Sequence, residues 1–132
     1  MPISTVQTSS APAAIGPYSQ ARKAGPWLYI SGQIPLDPTT GELVGTDIEL
    51  QTRRVLENLK AVVVAGGGTM QDIVKTTIFL QDLGDFATVN RIYGEYFVAP
   101  FPARATVGVA ALPRGSRVEI EAVAFVDSTP NP

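Results

Sequence analysis

The sequence predicts an α+β domain, with helices on one face of a mixed β-sheet. Three observations lead there. Two stretches near the C-terminus, Pro102 to Val109 and Arg117 to Val126, are rich in β-branched residues and bounded by Pro and Gly, as strands are. Two segments between Asp47 and Phe97 carry apolar residues at helical spacing. The remaining runs also read as strands, which gives the order β-β-α-β-α-β-β. With 132 residues, the chain is expected to make one domain around one core, with residues 1–14 as an N-terminal arm and 127–132 as a tail.

Taken in order, the arm is rich in Ser, Thr, Ala and Pro and needs a surface to lie on. Pro17 then fixes the backbone just before Tyr18. Strands are expected over Ser19 to Ala24 and Trp27 to Gln33, folded about the Gly25-Pro26 turn. Within the second, Gly32 reads either as a bulge or as a place where backbone approaches a ligand closely. Asp37-Pro38-Thr39-Thr40-Gly41 has the composition of a turn.

From Asp47, a plausible N-cap, Ile48, Val55, Leu56, Leu59, Val62 and Val63 trace one side of a helix running to Ala65. Gln51, Arg53, Arg54, Glu57 and Lys60 are expected on the outer side, with Arg53 and Glu57 spaced as a surface pair. Gly66-Gly67-Gly68 follows a helix rather than a strand and lacks the Gly-Lys-Ser/Thr ending of a phosphate loop, so it reads as a C-cap. Thr69 to Asp72 suits a short helical turn. Ile73 to Leu80 is a nearly continuous apolar run, hence an interior strand, on which Lys75 belongs to the polar face. A second helix is expected from Asp85 to about Phe97, with Phe86, Val89, Ile92, Tyr93 and Tyr96 as its buried stripe. Ala99-Pro100-Phe101-Pro102 ends it and delivers the chain to Arg104.

Composition narrows the chemistry. The chain has no Cys and no His, which excludes disulfides, thiolate nucleophiles, Ser-His-Asp catalysis and nearly all zinc or haem sites. No metal and no cofactor is expected. A formal net charge of −2 gives no general attraction to nucleic acid. Hydrophobic residues make up 45%, enough to leave apolar surface for an oligomer interface. No run is long enough to span a bilayer and no signal-peptide layout opens the chain, so a cytoplasmic address and no membrane partner are expected.

The last two strand candidates carry the chemistry. The connector Ala110 to Ser116 holds Pro113 and Gly115, and an antiparallel hairpin is the economical reading. If the register sets Thr106 opposite Glu121, Arg104 lies diagonally within reach of Glu121 on one side of the sheet. Most strand Arg and Glu residues are solvated or paired with each other. Here, however, the face of Glu121 grows apolar toward Val123 and Phe125. An Arg and a Glu at the edge of an apolar surface suit binding of a carboxylate and activation of a water.

Six blocks resemble the RidA/YjgF imine deaminases: Ala14-Ile15-Gly16-Pro17-Tyr18-Ser19-Gln20, Ile30-Ser31-Gly32-Gln33-Ile34-Pro35, the run Asp72 to Leu80, the run Asp85 to Asn90, Phe101-Pro102-Ala103-Arg104 and Val118-Glu119-Ile120-Glu121-Ala122. The resemblance covers nearly the whole chain. It implies a chorismate-mutase-like fold, a homotrimer with ligand clefts between subunits, and hydrolysis of 2-imino or 2-aminoenoic acids to 2-keto acids and ammonia. Arg104 would hold the substrate carboxylate and Glu121 would activate water, with Tyr18, Ser31, Gly32, Asn90 and the backbone beside Thr106 shaping the cleft around the imino or keto acid. Many family members carry Cys where this chain has Thr106, so oxidative switching through that position is ruled out here. An endoribonuclease or translation inhibitor, and a non-catalytic 2-keto-acid-binding module, are the alternative functions.

Overall fold

In a computed structural model, which describes residues 2–127, one six-stranded sheet carries two helices on one face. The strands are β1 (Ile3–Val6), β2 (Ala21–Ala24), β3 (Trp27–Gln33), β4 (Ile73–Leu80), β5 (Ala103–Gly108) and β6 (Val118–Phe125); the helices are α1 (Ile48–Ala65) and α2 (Phe86–Tyr96). Their order across the sheet is β1-β2-β3-β6-β4-β5, and only β4 and β5 run parallel. Of the expected tail, residues 128–132 lie outside the described residues, as does Met1 of the arm.

The arm finds its surface as a strand: Ile3 to Val6 pairs antiparallel with Ala21 to Ala24. Farther along, the buried Gln20 side chain receives the Thr8 N–H at 2.7 Å and donates to the carbonyls of Thr8, Ala11 and Pro12 at 3.0, 3.3 and 2.8 Å. One amide thus satisfies several arm backbone groups that no strand pairing reaches.

The expected hairpin of the last two strands does not form. α2 lies on one face and returns the chain in its original direction, so β5 becomes the parallel neighbour of β4, with Thr76 beside Arg104 and Ile78 beside Thr106. β6 instead inserts between β3 and β4. Its burial explains the choice: Val118, Ile120, Ala122 and Ala124 are all buried under the helices, which an edge position would leave half uncovered. Across from them stand Val55, Leu56, Leu59, Val62 and Val63 of α1, fully buried, each contributing roughly 1.5–3 kcal/mol. Glu119, Glu121, Val123 and Phe125 of β6 face the other way, onto the helix-free side of the sheet.

α1 begins as expected, with the Leu50 N–H donating to Asp47 Oδ2 at 2.8 Å. It ends at the glycine triplet, where the Gly66 N–H reaches Val62 O at 3.0 Å and Gly67 takes φ 92°. Two surface expectations fail. Gln51 is fully buried, donating to Gly45 O at 2.6 Å and accepting the Arg117 N–H at 2.8 Å. Arg53 pairs with Glu95 of α2 at 2.8 Å and with Glu49 at 3.4 Å, while Glu57 accepts the Tyr96 hydroxyl at 2.7 Å. Packing α2 beside α1 supplies partners that spacing within one helix cannot show. Asn58, also buried, donates to the carbonyls of Ile34 and Leu36 at 3.2 and 3.0 Å and so ties the segment after β3 to the helix.

Candidate active site

Two groups of predicted residues are brought together, in separate places. The first lies on the helix-free side, in a cleft of about 650 Å³ whose lining includes Tyr18, Ser31, Gly32, Arg114, Glu119 and Glu121. The β3–β6 ladder positions it. Ile30 pairs with Ala122 and Gln33 with Ile120, so Ser31 and Gly32 together oppose the single residue Glu121. That two-against-one count is a bulge, which re-aims side chains at the break in the ladder. The Ser31 hydroxyl donates to Ser19 O at 2.6 Å, fixing the segment that presents Tyr18, itself half exposed. Pro12 of the pinned arm and Ile15 just after it also line the cleft.

Gly32 is a close-approach glycine. A Cβ there would overlap the Glu119 carboxylate and lie 2.8 Å from its Cδ. The absent side chain lets Glu119 fold its carboxyl against the β3 backbone, where it is half-buried. Burial first, and the nearby charge of Glu121 second, hold that carboxyl above the usual carboxylate range. Glu121 is more exposed. Neither carboxylate has a cation within ion-pair distance among the described residues.

The second group lies on the other face, against α2. Arg104 donates to Asn90 Oδ1 at 2.8 Å, and its guanidinium lies 4.9 Å from the Tyr93 ring centroid and 5.6 Å from that of Phe86. The Tyr93 hydroxyl is in turn bonded to Thr76 Oγ1 at 2.8 Å. Burial keeps the phenol protonated beyond its usual range, although the Thr76 bond and the Arg104 charge pull the other way. The fork is therefore held by one amide and two rings, with no carboxylate partner among the described residues, and opens into a cleft with Phe101 and Pro102. Thr106 sits one strand repeat further along the same face and lines neither cleft.

The shared face expected for Arg104 and Glu121 is thus corrected. Arg104 is level with Thr76 and Ala122, on the helix side, while Glu121 is level with Thr77 on the opposite side. Inserting β4 between the two strands, instead of joining them as a hairpin, reverses their relation.

Family comparison agrees with this architecture. The model of the Endoribonuclease L-PSP family matches residues 8–126. The chain belongs to this family, that of the RidA proteins. It is 53% identical over 123 residues to the 2-iminobutanoate/2-iminopropanoate deaminase of Salmonella typhimurium, covering 91% of this chain and 95% of the relative. A crystal structure of a Rid family protein from Yersinia pestis superposes with a TM-score of 0.93 at 53% identity, covering 95% and 100% of the two chains. Escherichia coli TdcF, crystallised with bound serine, gives a TM-score of 0.89 at 46% identity over 92% and 98%. The Rid fold expected from the sequence, two helices on one face of a mixed sheet, is the one found, with the arm adding a sixth strand to the five in the expected order.

Sequence reasoning passed over Glu119. The signal was present, since Glu119 shares a strand face with Glu121, but only the β3–β6 register shows which of the two meets Gly32.

Proposed function

We propose that this chain is a hydrolytic deaminase of 2-imino acids, and that its site is composed between neighbouring copies, Arg104 from one and the Glu119 cleft from the next. The observation that carries the reading is Arg104: a permanently charged fork, held rigid by Asn90 and two rings, with no acidic partner of its own among the described residues. A planar fork in that state suits a substrate carboxylate. Several curated relatives bear deaminase names, and TdcF holds serine, a ligand with the same α-carboxylate.

In the chemistry we propose, Arg104 fixes the carboxylate of a protonated imine and the Glu119 carboxylate takes a proton from water as its oxygen bonds to the imine carbon. The resulting carbinolamine nitrogen receives that proton. The C–N bond then breaks as the hydroxyl becomes a carbonyl, its proton passing through Glu119 to the departing ammonia, which leaves as ammonium. Proton transfer of this kind contributes roughly 100- to 10,000-fold. Glu119 suits the task, because it lies half-buried against the β3 backbone at Gly32 and its raised affinity for a proton lets it both take and return one. Tyr18, Ser31 and Gly32 shape the cleft around it, and Asn90 steadies Arg104.

One copy holds the two half-sites on opposite faces of its sheet, which favours a shared site. The helix-free face also exposes Trp27, Tyr29 and Phe125 at 41%, 53% and 42%, apolar area that a homotrimer would cover. A ribonuclease reading is less favoured, since the chain has no His and a sequence pI near 5.0.

The test couples an imine-generating dehydratase to this protein and follows imine disappearance, using wild type, Arg104→Ala, Glu119→Gln and a co-refolded equal mixture of the two variants. The variants alone should be inactive, and the mixture should recover roughly a quarter of wild-type activity, the share of sites with both halves intact. No acceleration by wild type overturns the deaminase reading; inactive variants with no recovery overturn the shared site.

A further inference from the structure

Glu121 shares the cleft with Glu119 but is not needed in the proton path above, and its placement gives it another task. The two residues are one strand repeat apart on the same face of β6, so their side chains leave the sheet in the same direction, about 7 Å apart at their origins. The bulge at Ser31 and Gly32 opens the ladder opposite Glu121 and seats the Glu119 carboxyl against backbone. Glu119 is thus half-withdrawn from water, while Glu121 is exposed, so the charge of Glu121 reaches Glu119 partly screened and only over this short separation.

We propose that Glu121 is a positioning residue for the deaminase reaction: its carboxylate, one strand repeat away on the same face of β6 and in the same cleft, tunes how readily Glu119 takes and returns its proton. This rests on Glu119 being the proton carrier. The direction follows from like charges, since ionising Glu119 beside a charged Glu121 is disfavoured, and the neighbouring charge acts in that sense. Within one copy the other groups around Glu119 are few; across the shared site the neighbouring copy's Arg104 is the remaining charge, and it is unchanged in the Glu121 variants. Tyr18 and Arg114 line the same cleft from the segment before β2 and from the connector before β6. The Arg114 guanidinium is drawn away toward Glu42, 3.8 Å distant, and the Gly41 carbonyl at 3.4 Å. β3 contributes only the neutral Ser31, Gly32 and Gln33, and β4 places Phe79 beside Glu119. Arg22 and Lys75 face Glu121 from an adjoining cavity whose lining includes Ser31 and Glu121 but not Glu119. Glu121 is therefore the acidic neighbour of the carrier in its cleft and the link between it and those two cations.

The experiment titrates the Glu119 carboxyl by carbon NMR on protein labelled at glutamate, with Glu119→Gln to assign the signal, and measures kcat/KM against pH on the same samples. In Glu121→Gln the Glu119 midpoint should move to lower pH, and the acid limb of kcat/KM should move with it. Glu121→Asp, which keeps the charge, should retain the wild-type profile. A midpoint unchanged in Glu121→Gln, or shifted equally in Glu121→Asp, overturns the proposal. If Glu119→Gln turns over normally, the carrier assignment fails, and an acid limb indifferent to the Glu119 midpoint then denies Glu121 any part in the reaction even where the two carboxyls are coupled.

Discussion

Gly32→Ala adds one methyl group where the Glu119 carboxylate now sits, and its consequences separate catalysis from folding. The new Cβ would overlap Oε2 and lie 2.8 Å from Cδ and 3.1 Å from Cγ. Ordinary carbon contacts are about 3.5–4.0 Å, so the carboxyl must retreat by roughly 1 Å. Stability should hardly change. Gly32 is not among the positive-φ glycines, the group that must move is the end of a flexible side chain, and Ala loses less backbone freedom on folding than Gly. We expect less than about 1 kcal/mol in urea unfolding. Activity should not survive so well, because a displacement of this size at a reacting group costs up to roughly 100-fold. The coupled imine assay should show kcat falling by about that factor while the melting transition stays in place. Wild-type kcat in a folded Gly32→Ala variant would refute the account of Gly32 and would remove the geometric argument for Glu119.

Other perturbations test other parts. Arg104→Lys keeps the charge but loses the fork and its stacking on Tyr93 and Phe86, so kcat/KM should drop at least roughly 100-fold with the fold intact, as circular dichroism would verify. Asn58→Ala leaves the buried Leu36 carbonyl without its donor, while the Ile34 carbonyl keeps the Leu36 N–H, and should destabilise the chain by about 2 kcal/mol in urea unfolding. The Glu119 carboxyl binds its proton more tightly folded than unfolded, so its contribution to stability is present below the ordinary carboxylate range and lost as pH rises through the raised folded value. Glu119→Gln lacks that loss, and its stability relative to wild type should therefore improve as pH rises through and above the ordinary carboxylate range. Light scattering at micromolar concentration should report three times the 14.0 kDa chain mass; a monomer would remove the shared-site proposal.

Much of the fold was legible because it is written in local pattern. The helical period from Asp47 to Ala65, its Asp cap and its glycine stop lie within one stretch of chain, and no distant contact competes with them. The same holds for Trp27 to Gln33 and Ile73 to Leu80, whose residues fit a pleated, buried surface wherever the strand is placed. The residue types of the site were legible for a similar reason. Without His or Cys, the available chemistry falls to Arg, carboxylates and hydroxyls, and the quoted motifs mark where these sit.

Strand order was decided elsewhere. Hairpin pairing of the last two strands satisfies every local signal, yet β6 gains burial on its helix face only between β3 and β4, and that gain depends on α1 and α2 already lying there. The face shared by two residues on different strands follows from that order, so Arg104 and Glu121 were separated by a choice made far from either. Gln51 and Arg53 found partners in Arg117 and Glu95, residues 66 and 42 positions away. Alternation alone makes Glu119 and Glu121 equivalent. What distinguishes them is the bulge opposite Glu121 and the missing Cβ at Gly32, a register between strands far apart in the chain that only the assembled sheet contains.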